Sequence, residues 1–279
     1  MANYTAADIK ALRERTGAGM MDVKKALDEA NGDAEKAIEI IRIKGLKGAT
    51  KREGRSTAEG LVAAKVIDGT VGVMVEVNCE TDFVAKNDKF IALADKVLEV
   101  AVSSGAADLE SLLASDVDGK TLGDYVVEEG AVLGEKVVVR RVARVEGTTV
   151  DAYLHKTSKD LPAQVGVLVA VDGSGAEAQT VAHDVAVHTA AMAPTYLSRE
   201  EVPAETVENE RRIADETARA EGKPEAALTK IVEGRLTGFF KEIVLVDQAF
   251  AKDAKKTVGK VLEEAGVQAT AFARFRVGS

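Results

Sequence analysis

The run Val71-Gly72-Val73-Met74-Val75-Glu76-Val77 recurs as Val165-Gly166-Val167-Leu168-Val169-Ala170-Val171, 94 residues further on. Each copy reads as a strand, and the first is the clearest in the chain. Each is preceded by another strand-like run, Leu61 to Ile67 and Val150 to His155. Asp68-Gly69 joins the first pair as a hairpin signal. Helical stretches follow, Asp88 to Val102 and about Glu177 to Met192. A second echo pairs Lys120-Thr121-Leu122-Gly123 with Lys256-Thr257-Val258-Gly259, and the strand-like runs Lys136 to Val145 and Ala269 to Val277 come after these. Both copies therefore read strand, strand, helix, helix, strand. The offset grows from 94 to 136, so the second copy carries about 42 extra residues between its helices.

The insert falls near 194–235. It holds many charges, among them Glu200, Glu201, Glu205, Arg211, Arg212 and Arg219, and few apolar positions. Gly222-Lys223-Pro224 interrupts it, so two helices turning there make a polar antiparallel hairpin. Such an arm is either a plain protrusion or a contact for a partner or a second copy of the chain; a homodimer through the core or this hairpin stays open.

Ahead of the duplication, residues 1–55 have a different character. Thr5-Ala6-Ala7-Asp8 has the spacing of a variant capping box, and Ile9 and Leu12 share a helical face. A second helix, about Asp22 to Ala30, ends at Asn31-Gly32, and a third starts at Asp33. Three short helices make a small bundle of the ubiquitin-associated type. Its loop Gly17-Ala18-Gly19 leads into Met20 and Met21, which either form an adaptable binding surface or plug the small core. Lys44 to Arg55, rich in glycine and basic residues, reads as a flexible linker. The expected units are residues 1–55, core halves at 56–147 and at 148–193 with 236–279, and the inserted hairpin at 194–235.

Composition narrows the function. At 46% hydrophobic and 30% charged, 279 residues suffice for two or three compact units. The net charge of −9 argues against a nucleic-acid binder, which needs a basic surface to displace phosphate counterions. It favours a soluble protein, or one with a partner carrying a basic patch. Cys79 is the sole cysteine, which excludes an internal disulfide and suits a reducing compartment. Met1 to Thr5 carries no targeting signal, and no apolar run approaches the roughly 20 residues that cross a bilayer. A cytoplasmic chain without membrane association is expected.

No catalytic set assembles from the sequence. His183 and His188 are five apart, off one helical face, and read as plain surface residues. Cys79 lacks a neighbour that would lower its pKa. Neither a phosphate-cradling glycine loop with a lysine nor a nucleophile elbow is present. His155, at a strand end, reads either as a surface contact or as an idle residue. No enzyme activity, metal site or cofactor is expected. The informative difference lies between the copies. After the shared strand, the second copy has an ordinary turn, Asp172-Gly173-Ser174-Gly175; the first has Asn78-Cys79-Glu80-Thr81-Asp82-Phe83-Val84. A cheap turn suffices to join strand to helix, so Asp82 and Phe83 point to a function at that corner. The structural alternative is that Asn87 or Asp88 caps the next helix with Phe83 packed on its first turn.

The stretches Leu12-Arg13-Glu14-Arg15-Thr16-Gly17-Ala18-Gly19-Met20-Met21-Asp22 and Glu76-Val77-Asn78-Cys79-Glu80-Thr81-Asp82-Phe83-Val84-Ala85-Lys86-Asn87 resemble the two signatures of bacterial elongation factor Ts, with Val232-Glu233-Gly234-Arg235 and Thr257-Val258-Gly259 in support. The resemblance implies an α+β fold: a ubiquitin-associated-like N-terminal module, a duplicated core with antiparallel sheets and an inserted coiled-coil hairpin. It implies a guanine nucleotide exchange factor that binds elongation factor Tu, GDP-bound and nucleotide-free, and releases GDP so that GTP can reload. The family assigns Thr81, Asp82, Phe83 and Val84 to displacement of the partner's Mg²⁺. It assigns Arg13, Met20 and Met21 to an N-terminal contact surface, and His155 is a further candidate contact. The loop after His155 is longer than in many relatives, and the chain stops after the last expected strand, without the C-terminal helical module of some members. The alternative function is a scaffold or adaptor that binds through the N-terminal module alone.

Overall fold

The computed structural model describes residues 3–16 and 18–279, the side chains of 46–51 excepted. Gly17, which opens the expected Gly-Ala-Gly loop, and Met1 and Ala2 lie outside the described residues. Three helices come first: α1 (Ala6–Thr16), α2 (Met20–Glu29) and α3 (Ala34–Arg52). The first half of the core follows as strands β1 (Glu59–Ile67) and β2 (Val71–Cys79), then helices α4 (Asp82–Ala85), α5 (Asp88–Ser104) and α6 (Leu109–Leu113). A small ribbon of β3 (Asp116–Val117) and β4 (Lys120–Thr121), helix α7 (Leu122–Leu133) and strand β5 (Val138–Glu146) complete it. The second half comprises β6 (Thr149–His155), β7 (Val165–Val171), α8 (Ala176–Met192), α9 (Ala204–Ala220) and α10 (Glu225–Ile243). A ribbon of β8 (Ala249–Phe250) and β9 (Asp253–Thr257), helix α11 (Val258–Glu264) and strand β10 (Ala269–Arg276) end the chain.

The repeat in sequence is a repeat in topology. One antiparallel sheet has the order β1-β2-β5 and the other β6-β7-β10, with the repeated strand central in each. Strand side chains alternate between faces. In β2, Val73, Val75 and Val77 pack against Phe90, Leu93, Ala94 and Val97 of α5. In β7, Val167, Val169 and Val171 pack against Val181, Ala182 and Val185 of α8. The opposite faces meet each other: Val62, Met74 and Val145 lie against Val150, Leu168 and Phe275. The core is therefore four layers, helices, sheet, sheet, helices, and both central strands are buried on both faces. That is why each reads as a continuous apolar run.

Glycine permits the close sheet contact. A Cβ at Gly72 would lie 2.9 Å from both Leu168 and Val150, and one at Gly166 would lie 2.4 Å from Val62 and 2.7 Å from the Met74 sulfur. These are the second residues of the two repeated strands. The copies differ at Glu76, whose counterpart is Ala170. Glu76 is wholly buried, pairs with Arg141 at 2.6 Å and accepts from Asn78 Nδ2 at 3.1 Å. Arg141 stacks 4.4 Å from the centre of the Phe275 ring and donates to the Arg276 carbonyl at 3.0 Å. A charged link thus joins the two sheets at one end.

Three expectations need correction. The supposed linker is helical through Arg52, because α3 runs on and packs against α7. Gly45 serves that contact, since a Cβ there would lie 2.9 Å from the Ala131 Cβ; packing overrides the low helix propensity of glycine. The hairpin turns at Gly222-Lys223-Pro224, but its second helix continues past 235 to Ile243. Phe240 belongs to the hairpin's own core with Ala214, Val232 and Leu236, which extends the helix by two turns. His188 is buried rather than on the surface.

Candidate functional site

Strand β2 ends at Cys79, whose thiol is buried and donates to the Thr81 carbonyl at 3.3 Å. Burial and the nearby Glu135 carboxylate push its pKa up to about 12, so it is an unreactive packing residue. The chain then makes the single helical turn α4. Thr81 is its N-cap, accepting from Val84 N at 3.4 Å, and Asn87 caps α5 by accepting from Lys89 N at 2.9 Å. Two caps six residues apart fix both ends of the corner. Ala85 points into the core and Val84 packs at its edge. Phe83 points outward and is 73% exposed, and the Asp82 side chain is 49% exposed. Phe83 therefore does not serve as a staple on α5. Lys86 attends both, with its ammonium 3.5 Å from Asp82 Oδ2 and 4.6 Å from the centre of the Phe83 ring.

A carboxylate from a distant element supports the corner. Glu135, just past the end of α7, accepts from Glu80 N and Thr81 N at 3.0 Å each and from Thr81 Oγ1 at 2.6 Å. Glu80 returns the bond by accepting from Lys136 N at 2.6 Å, and it pairs with Arg55 at 3.1 Å. Burial alone would raise the Glu80 carboxyl, but the Lys136 N–H and the Arg55 guanidinium outweigh it and hold it below the usual carboxylate range. Glu135 was not singled out from the sequence. Its signal is its place after Gly134, which has φ 81° at the end of α7; the second copy has Val267 after Gly266, with φ 68° at the end of α11.

Met20 and Met21 are 59% and 62% exposed at the start of α2, and Arg13 is exposed on α1. The small core beneath them is built from Leu12, Val23, Ala26, Leu27, Ala30 and Ala37, so the methionines do not plug it. His155 is exposed at the end of β6, its Nδ1 3.2 Å from the Tyr153 hydroxyl. Leu154 of β6 and Lys156 just past its end line a groove of about 480 Å³ that Lys86 also lines. His155 itself does not line that groove; its ring lies 6.1 Å from that of Tyr153, whose other neighbour is His183, held by Asp151 at 3.0 Å.

Among the described residues, no group of three or more His, Cys, Asp or Glu side chains is placed to hold a metal ion, and no helix is long and apolar enough to cross a membrane. What the corner offers is mechanical and electrostatic: an aromatic ring and a carboxylate presented on a braced turn.

The sequence model of the family described as Elongation factor TS matches residues 80–279, a span that begins at this corner. The chain belongs to the elongation factor Ts family. It is 84% identical to the elongation factor Ts of Paenarthrobacter aurescens and 84% identical to that of Pseudarthrobacter chlorophenolicus, over the full length of both chains in each case. It is 81% identical to that of Micrococcus luteus over the same full length. Full-length similarity carries the N-terminal helices into the family as well, and it fits the mixed helices and antiparallel sheets described above.

Proposed function

We propose that the protein is the guanine nucleotide exchange factor of elongation factor Tu, and that its Thr81–Val84 corner does the work of GDP release. A nucleoside diphosphate is held in such a partner largely through its phosphates and a Mg²⁺ ion. Phe83 wedges between elements of the partner, and Asp82 perturbs the groups around the metal until the ion is displaced. Arg13, Met20 and Met21 contact the partner's nucleotide domain, the second half of the core grips another part of it, and His155 adds a contact there. Exchange is then negative coupling: the factor weakens nucleotide binding, and nucleotide weakens factor binding by the same ratio. No bond is made or broken, and GTP reloads the emptied site.

The observation that carries this reading is the large exposed ring of Phe83 beside Asp82 on a turn capped at both ends. An apolar ring gains by leaving water only if something receives it. Loss of fluorescent GDP from elongation factor Tu tests the reading. The double variant Asp82→Ala with Phe83→Ala folds normally, because both side chains point outward, and it releases GDP at least about tenfold more slowly. Release by this variant at the rate of the unaltered protein refutes the proposal.

A further inference from the structure

The two halves of the core end their second helices in the same way, with a glycine in the left-handed region, Gly134 and Gly266. The next residue then turns back towards the end of the central strand. In the second half that residue is Val267, which fills the space beside Gly173: a Cβ there would lie 2.1 Å from the Val267 methyl. In the first half it is Glu135, whose two carboxylate oxygens take three hydrogen bonds from Glu80 and Thr81. An apolar residue stands behind the plain turn, and an acid behind the turn that carries Asp82 and Phe83.

We propose that Glu135 is the positioning residue of the exchange corner: it fixes Thr81, and through the Thr81 cap the angle at which α4 presents Phe83 and Asp82 to the partner. This rests on the exchange reading above. The geometry is specific. The Oε2 atom gathers the two successive N–H groups that leave β2, both at 3.0 Å, and so sets the direction in which the backbone departs. The Oε1 atom accepts the Thr81 hydroxyl proton at 2.6 Å, which leaves the oxygen lone pairs of Thr81 free to accept from Val84 N. Glu80 closes the arrangement from the other side by taking the Lys136 N–H at 2.6 Å, so the two segments hold each other. A helix of one turn has no stability of its own, and its orientation is whatever its anchors impose. The hydrogen bonds of Glu135 go to Glu80 and Thr81 and not to Phe83 or Asp82, so its effect is on their placement.

The test titrates the full-length variants against elongation factor Tu loaded with fluorescent GDP. The titration separates the limiting release rate from the half-saturating factor concentration. Glu135→Ala lowers the limiting rate about tenfold, as expected for a displaced wedge, and shifts the half-saturating concentration less than about threefold. On the background of Asp82→Ala with Phe83→Ala the same substitution costs no more than about twofold further, because both side chains it positions are gone. Glu135→Gln keeps one acceptor for the amides and a partner for the hydroxyl, and restores most of the rate; should the alanine variant not fold, the glutamine variant carries the same cycle with a smaller loss. Losses that multiply in the combined variant, or an unchanged limiting rate in folded Glu135→Ala (in Glu135→Gln should the alanine variant not fold), overturn the inference and leave the exchange reading intact. If Asp82→Ala with Phe83→Ala is itself as fast as the unaltered protein, the exchange reading falls and this inference falls with it.

Discussion

His188 is held at both ring nitrogens, by Gln248 Oε1 at 2.9 Å and by the Ala251 N–H at 3.1 Å. Gln248 donates its amide to the Glu242 carbonyl at 2.8 Å, which fixes its oxygen as the acceptor. The ring is therefore neutral, with its proton on Nε2, since a second proton on Nδ1 would face the Ala251 N–H. Burial lowers its pKa from the ordinary 6.5, and the bond to Gln248 only partly offsets this. Below that value the unfolded chain takes a proton that the folded chain refuses, so this contribution to stability is present above the ordinary value and is lost as pH falls. Urea unfolding at pH 7 and pH 5.5 gives lower stability at the acid value, with His188 contributing at most about 1.4 kcal/mol per pH unit. His188→Gln reduces that slope, and an unchanged slope contradicts the assignment. At this scale Asp82 and Phe83 were legible in the sequence because the other copy supplies a control in Gly173-Ser174-Gly175. Glu135 was not, because its partner Thr81 is 54 positions away and α7, at 12 residues, outruns the 7 residues of α11. His188 was misread because spacing along a helix does not reveal how broad a face of α8 is covered.

The sheets depend on two glycines that the repeat places at equivalent positions. Gly166→Val forces a side chain into the space held by Val62 and Met74, and overpacking of this kind costs about 1–3 kcal/mol. A lowered melting temperature with unchanged secondary structure by circular dichroism is the expected reading. Gly234→Ala is the control: nothing lies within 4 Å of its added Cβ on α10, and the helix gains up to about 1 kcal/mol. The two central strands were legible because burial on both faces makes each a continuous apolar run, and α5 and α8 because one face of each is apolar. The course of α3 was not, since the glycines and charges of Lys44 to Arg55 suggest a flexible linker until Gly45 is seen against Ala131. The single turn α4 was missed because four residues are too few to show a period, and only the Thr81 cap defines it.

Taken whole, the molecule joins a small helical core to the four-layer core through one long helix. The N-terminal helices keep their own apolar cluster around Leu12, Val23 and Leu27, and reach the first sheet's helices through α3, where Arg42 pairs with Glu128. Burial would raise the Glu128 carboxyl, but Lys120 and Arg42 together hold it below the usual range. Removal of residues 1–55 leaves the four-layer core folded. The shortened protein still releases GDP at saturating concentration but needs more protein to do so, whereas an adaptor working through the N-terminal module alone would lose all binding. Within the core, the connection from β5 to β6 is only two residues long, between Glu146 and Thr149. Each half, set loose in water, would bare an oily wall that only the other half covers. With so short a tether the mating of the walls escapes mass action, and the core survives any dilution. It also removes the need for the halves to stay alike. Once two lobes are bound to a single backbone, one can settle for a bare bend while the other grows a tool.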